Sequence, residues 1–183
     1  LMTRPSKAIE KYLHSTYSHI GIILKRLEDN QLLCFESTGS TSQVLSGIFP
    51  QVQINPLATS LMQQSLSKAV TRDFIFDKQP TSDDVQKFVQ KYLGINYEEN
   101  IVSILKSKSR SNKTGDDSSL FCSELVALML QQLGYLSTEL PADNYTPRDF
   151  SEISENVKLI GATLGKEVLI FKPDGRQCFC QIL

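Results

Sequence analysis

Among 183 residues the chain carries two histidines and four cysteines. Any imidazole base is therefore His14 or His19. His19 opens the β-branched, apolar run His19-Ile20-Gly21-Ile22-Ile23-Leu24, which reads as a strand. Gly21 shares its face and leaves open space beside the ring. A satisfied strand-edge histidine is the structural alternative. His14 falls near a helix end, where an exposed capping role is ordinary. Cys122 stands at the entry to the most apolar helical segment, with Ser118 and Ser119 before it and Ser123-Glu124 after it. A thiol there meets the positive end of the helix dipole and unsatisfied N–H groups. Both favour the thiolate, the reactive form. The same N–H groups suit an oxyanion on an attacked carbonyl. The alternative is a buried structural cysteine, a common fate for this residue type.

Glu36 is the candidate third group. Gln31-Leu32-Leu33-Cys34-Phe35-Glu36 reads as a strand returning from the turn cluster Glu28-Asp29-Asn30. A hairpin centred between Glu28 and Asp29 puts Glu36 opposite Gly21 and His19 diagonal to Glu36 on the same face. Diagonal neighbours lie about 7–8 Å apart at the backbone, within reach of two long polar side chains. A carboxylate so placed fixes the imidazole tautomer and stabilises its protonated form. A turn of odd length without a bulge would send Glu36 to the other face instead, as a solvated strand-end acid. The same register puts Cys34 on the Glu36 face. Cys178 and Cys180 lie in the tail and read as packing or surface residues.

The surrounding elements have to hold these groups. A short helix is expected over 5–14, then the 19–24 and 31–36 strands, and a Ser/Thr/Gly loop from Gly39 to Ser46. Gln51–Ile54 reads as a short strand and Pro56–Ala69 as a helix with Leu57, Leu61, Met62 and Leu66 on one face. Phe74–Phe76 is a strand. Thr81-Ser82-Asp83-Asp84 opens a helix that Gly94 stops. Lys106–Ser119 is a polar surface loop. Phe121–Leu133 is a buried helix, with Leu125, Val126, Leu128, Met129, Leu130 and Leu133 covering most of its surface and Gly134 ending it. Val168–Phe171 and the 178–183 tail are late strands. Strands and helices do not alternate, so the chain reads as one α+β domain over 1–183.

Composition narrows the function classes. A net charge of -1 gives no basic excess for nucleic acid or an anionic membrane. No apolar run of about 18 residues is present for a membrane span. The cysteines form no CxxC pair and no metal-ligand spacing, so neither zinc nor any other cofactor is expected. A reducing, cytoplasmic setting is the simpler expectation, although four cysteines admit a bridge. Leu1 in place of an initiator Met admits an upstream segment. Gly161-Ala162-Thr163-Leu164-Gly165-Lys166 lacks the spacing of a phosphate loop, and no GxSxG elbow exists.

Tyr17-Ser18-His19-Ile20-Gly21-Ile22, Phe35-Glu36-Ser37 and Phe121-Cys122-Ser123-Glu124-Leu125-Val126 together resemble the permuted NlpC/P60 group of papain-like proteins, in particular the YiiX/YebB-like amidase family. Gly94-Ile95-Asn96-Tyr97 is similar to the G-x-x-Y that precedes the nucleophile in NlpC/P60 proteins. Tyr145-Thr146-Pro147-Arg148-Asp149-Phe150 resembles a stretch that follows the cysteine helix in that family. The resemblance implies a papain-like fold with a central antiparallel sheet or barrel packed on the cysteine helix. It implies Cys122 as nucleophile, His19 as base and Glu36 as the orienting acid. Tyr97, with Tyr17, Ser18 and Ser123, would border the oxyanion and substrate side; a packing role for Tyr97 is the alternative. The implied activity is amide hydrolysis on a peptide, cell-wall fragment or acylated small molecule through an acyl-enzyme. The family's G-D-hydrophobic strand would lie ahead of the region matching Ser6–Ile9, before this sequence begins, and the 98–120 connection is long and polar. Lipid acyl transfer or phospholipid cleavage is the rival chemistry on this fold, weakened by Phe121-Cys122-Ser123-Glu124-Leu125 where such enzymes carry N-C-E-H-F. A non-catalytic binding module is the second rival.

Overall fold

A computed structural model describes residues 17–39, 50–63, 68–98, 118–171 and 179–182. The chain is α+β: a curled, half-barrel sheet with three α-helices among the described residues. The strands are β1 (Tyr17–Lys25), β2 (Leu32–Thr38), β3 (Gln51–Pro56), β4 (Lys68–Thr71), β5 (Phe74–Phe76), β6 (Asn96–Tyr97), β7 (Ser119–Leu120), β8 (Ala162–Leu164), β9 (Val168–Phe171) and β10 (Phe179–Ile182). The helices are α1 (Leu57–Gln63), α2 (Ser82–Tyr92) and α3 (Cys122–Gln132). Eight strands form one sheet in the order β7-β6-β3-β2-β1-β10-β4-β9, and β5 pairs with β8 separately.

The β1–β2 hairpin has the expected register, with Ile22 opposite Phe35, Ile23 opposite Cys34 and Leu24 opposite Leu33. Arg26 N–H closes the turn on the Gln31 carbonyl at 2.9 Å, and Asn30 takes the left-handed φ of 60° that the turn requires. Alternation then sorts the side chains. Ile20, Ile22, Phe35 and Val52 join Leu125, Val126, Met129 and Leu130 of α3 in the main core. On the opposite, inner face, Ile23 packs with Leu57 and Leu61 of α1, Phe171 of β9 and Ala69 of β4.

Two helix boundaries follow the sequence closely. Thr81 Oγ1 accepts the Asp84 N–H at 3.1 Å at the start of α2, and Gly94 and Gly134 adopt positive φ just past α2 and α3. The third does not. The helix expected over Pro56–Ala69 is described only as Leu57–Gln63, and Lys68–Thr71 is a strand. Ala69 and Val70 are buried there between neighbouring strands, where a short β-branched segment fits the pleat better than a helix end. The sheet is also mixed, where an antiparallel one was expected. β1–β10 and β10–β4 run parallel because the tail strand enters the interior of the sheet between β1 and β4, and the short β6–β7 pair at the other end is parallel too. The helix expected at 5–14 with His14, most of the 39–46 and 106–119 loops, and Cys178 lie outside the described residues. Among the described residues no helix is long and apolar enough to cross a membrane.

Candidate active site

β1 carries His19 beside a local irregularity. Tyr17 pairs with Phe179 and His19 with Cys180, so the ladder to β10 slips by one residue between them and Ser18 is the extra residue. Such a bulge re-aims the side chains around it. From β2, Glu36 reaches the ring: His19 Nε2 and Glu36 Oε2 are 2.6 Å apart. The carboxylate is nearly sealed, at 2 % exposure, and the imidazole is 13 % exposed. Gly21 makes that approach possible. A Cβ at this position would meet Cys34 Sγ at 3.0 Å, Glu36 Cβ at 3.2 Å and the Phe35 carbonyl at 3.3 Å.

Cys122 is the first residue of α3 and is 5 % exposed. The Ser37 hydroxyl, next to Glu36, donates to the Leu120 carbonyl at 2.5 Å and pins the approach to α3 against β2. Phe121 is the N-cap and offers no side-chain oxygen to the first turn. Glu124 turns back to accept the Phe121 N–H at 3.4 Å. The Cys122 side chain lies close enough to the His19 ring to act on its charge. Burial alone would depress the imidazole pKa, but Cys122 and then Glu36 reverse this and raise it to about 10. The carboxylate at 2.6 Å favours the protonated ring.

The structure brings Cys122, His19 and Glu36 together. The flanking candidates divide. Tyr97 lies in β6, paired with Leu120 two residues before the cysteine, and is half-buried. Its ring lies over Gly39, where an added methyl would meet it at 3.4 Å. Ser18 is buried at the bulge. Ser123 is wholly buried and its hydroxyl donates to the Tyr145 carbonyl at 2.7 Å, which fastens α3 to the following segment. Tyr17 is buried, and its hydroxyl lies 2.9 Å from each Glu167 oxygen. The Thr146-Pro147-Arg148-Asp149 stretch is a capped 3-10 turn, with Asp149 Oδ2 accepting the Thr146 N–H at 2.7 Å and its hydroxyl at 2.8 Å.

Sequence reasoning missed the polar neighbours of Glu36 and Cys34. Gln53 is the cross-strand partner of Glu36, and Asn55 that of Cys34; both are fully or almost fully buried. The signal was present in the 51–54 strand, but nothing local says that this strand pairs with β2. No protein family, curated protein or solved structure matches this chain.

Proposed function

We propose that this protein is a thiol hydrolase or acyltransferase of permuted papain-like type, acting on an amide carbonyl through a Cys122–His19–Glu36 triad. One observation carries the reading: a single imidazole bonded to a buried carboxylate at 2.6 Å, with the cysteine at the first position of a helix close enough to act on the ring's charge. A buried structural cysteine needs neither partner.

In the proposed cycle the Cys122 sulfur attacks the carbonyl carbon while His19 holds the proton that the thiol has given up. The carbonyl π electrons move to oxygen, and N–H groups of the first turn of α3 receive that oxyanion. Tyr97, in the strand next to Leu120, borders the same side. Collapse of the tetrahedral species breaks the carbon–nitrogen bond, and His19 passes its proton to the departing amine. Water, or another acceptor, attacks the thioester and restores the thiol. Glu36 keeps Nε2 engaged throughout, so the ring can neither flip nor lose its aim.

The test is labelling followed by turnover. Iodoacetamide near pH 6 should alkylate Cys122 well ahead of buried Cys34, and His19→Ala should abolish that preference. Labelled acyl-peptides and labelled phospholipids then separate amide from lipid chemistry, with the acyl-peptide expected to yield a Cys122 thioester. Equal or preferential labelling of another cysteine would end the proposal.

A further inference from the structure

We propose that Glu167 is a positioning residue for the reaction, acting through the Tyr17 hydroxyl to hold the His19 end of β1; the inference rests on the thiol-hydrolase reading. The two residues are 150 positions apart, and the Tyr17 oxygen lies 2.9 Å from both Glu167 Oε1 and Oε2. Glu167 is itself clamped. Its Oε1 accepts the Glu152 N–H at 2.9 Å, and Glu152 Oε2 accepts the Glu167 N–H at 2.9 Å. Arg72 fastens the backbone on both sides of this pair. Its Nε donates to the Gly165 carbonyl at 2.7 Å, Nη1 to Phe150 at 2.8 Å and Nη2 to Leu164 at 3.2 Å. The guanidinium charge also interacts at a distance with Glu167, Glu152 and Tyr17. Tyr17 therefore docks on a carboxylate whose own position is determined by three neighbouring segments.

The need for this anchor arises from the bulge. A regular ladder would fix the His19 backbone on both sides, but the pairing with β10 slips between Tyr17 and His19. The residue just ahead of the slip is the one tied to Glu167. Burial, then the Glu167 bond, push the Tyr17 pKa well above its ordinary value, so the phenol remains a donor wherever the triad works. A shift of about 1 Å at a reacting group is enough to cost about a hundredfold in rate, so a modest anchor has a large lever.

The experiment compares Tyr17→Phe, Glu167→Ala and Glu167→Gln with the wild type. Three readouts are taken: the pH profile of Cys122 alkylation by iodoacetamide, the NMR titration of the His19 ring, and the thermal midpoint. Tyr17→Phe and Glu167→Ala should slow Cys122 alkylation near pH 6 about tenfold and move the His19 titration downward. Glu167→Gln keeps an oxygen acceptor and should stay within about threefold of wild type. A fall in thermal midpoint with wild-type alkylation and a wild-type His19 titration would overturn the inference, leaving Tyr17 and Glu167 as ordinary packing. If wild-type Cys122 alkylates no faster than an ordinary thiol, the hydrolase reading fails separately. The His19 titrations of the variants then decide the anchor alone, and an unchanged titration refutes it.

Discussion

The two faces of β1, β2 and β3 follow opposite rules although they share every strand. The outer face carries Ile20, Ile22, Phe35 and Val52, all buried against α3 in one apolar cluster. The inner face carries His19, Gly21, Cys34, Glu36, Gln53 and Asn55, where Glu36, Gln53 and Asn55 are as deeply buried as the core. Apolar burial of the first kind stabilises at about 25 cal/mol per Å². Burial of the second kind costs free energy unless each group finds a partner. A sheet built only to persist would be apolar on both sides. The inner face gives up part of that stability, and there one imidazole is bonded to a buried carboxylate.

Substitutions on the two faces should therefore move different observables. The largest effect is expected from Phe35→Ala on the outer face. Removing a ring with no exposure should cost about 3–5 kcal/mol of stability by denaturant titration. In the fraction that remains folded, the pH profile of Cys122 alkylation should be unchanged. If that profile changed, the two faces would not be separable in this way.

Next in size is Glu36→Gln on the inner face, one residue away. The neutral amide keeps the shape but loses the charge that supports the imidazolium, and Cys122 alkylation near pH 6 should fall by about a hundredfold. The His19 titration, about 10 in the wild type, should move down. The sign for stability follows from a folded pKa above the ordinary value of 6.5. The contribution of protonated His19 is full below pH 6.5 and is lost as pH rises through about 10. Denaturation midpoints should thus decline along the alkaline limb, and Glu36→Gln should bring the decline to lower pH. A variant with the wild-type limb would show that the carboxylate does not support the charge.

The legibility of the two faces in sequence differs for a physical reason. The hairpin register could be derived from the turn residues and from the alternation of Ile20, Ile22 and Phe35, because both signals are local. The same signals put Glu36 beside Gly21, where the structure has it. The start of α3 was equally plain, since Cys122 interrupts a polar-to-apolar change. Gln53 was not legible, because its role depends on β3 choosing β2 as neighbour. The same holds for Glu167, which meets Tyr17 only after β9 has been laid at the far edge of the sheet. The strand at Lys68–Thr71 failed for a related cause: its residues follow an apolar helix closely, and only the neighbours β10 and β9 make it a strand.

The smallest of these substitutions, Gly21→Ala, probes where the inner face has no slack. Its added methyl would lie 3.0 Å from Cys34 Sγ, 3.2 Å from Glu36 Cβ and 3.3 Å from the Phe35 carbonyl. The last two belong to, or sit directly on, the β2 backbone and can yield only by moving the strand. Overpacking of this kind costs about 1–3 kcal/mol, and the lower end is expected for a single methyl. The sulfur can be removed independently. Cys34→Ala in the Gly21→Ala background should recover part of the stability, because the 3.0 Å contact disappears. It should not recover Cys122 reactivity, because the methyl still presses on Glu36 and turns its carboxylate away from His19 Nε2. Recovery of both together would mean that Gly21 serves packing alone; recovery of stability without reactivity separates the space that the fold needs from the space that the triad needs.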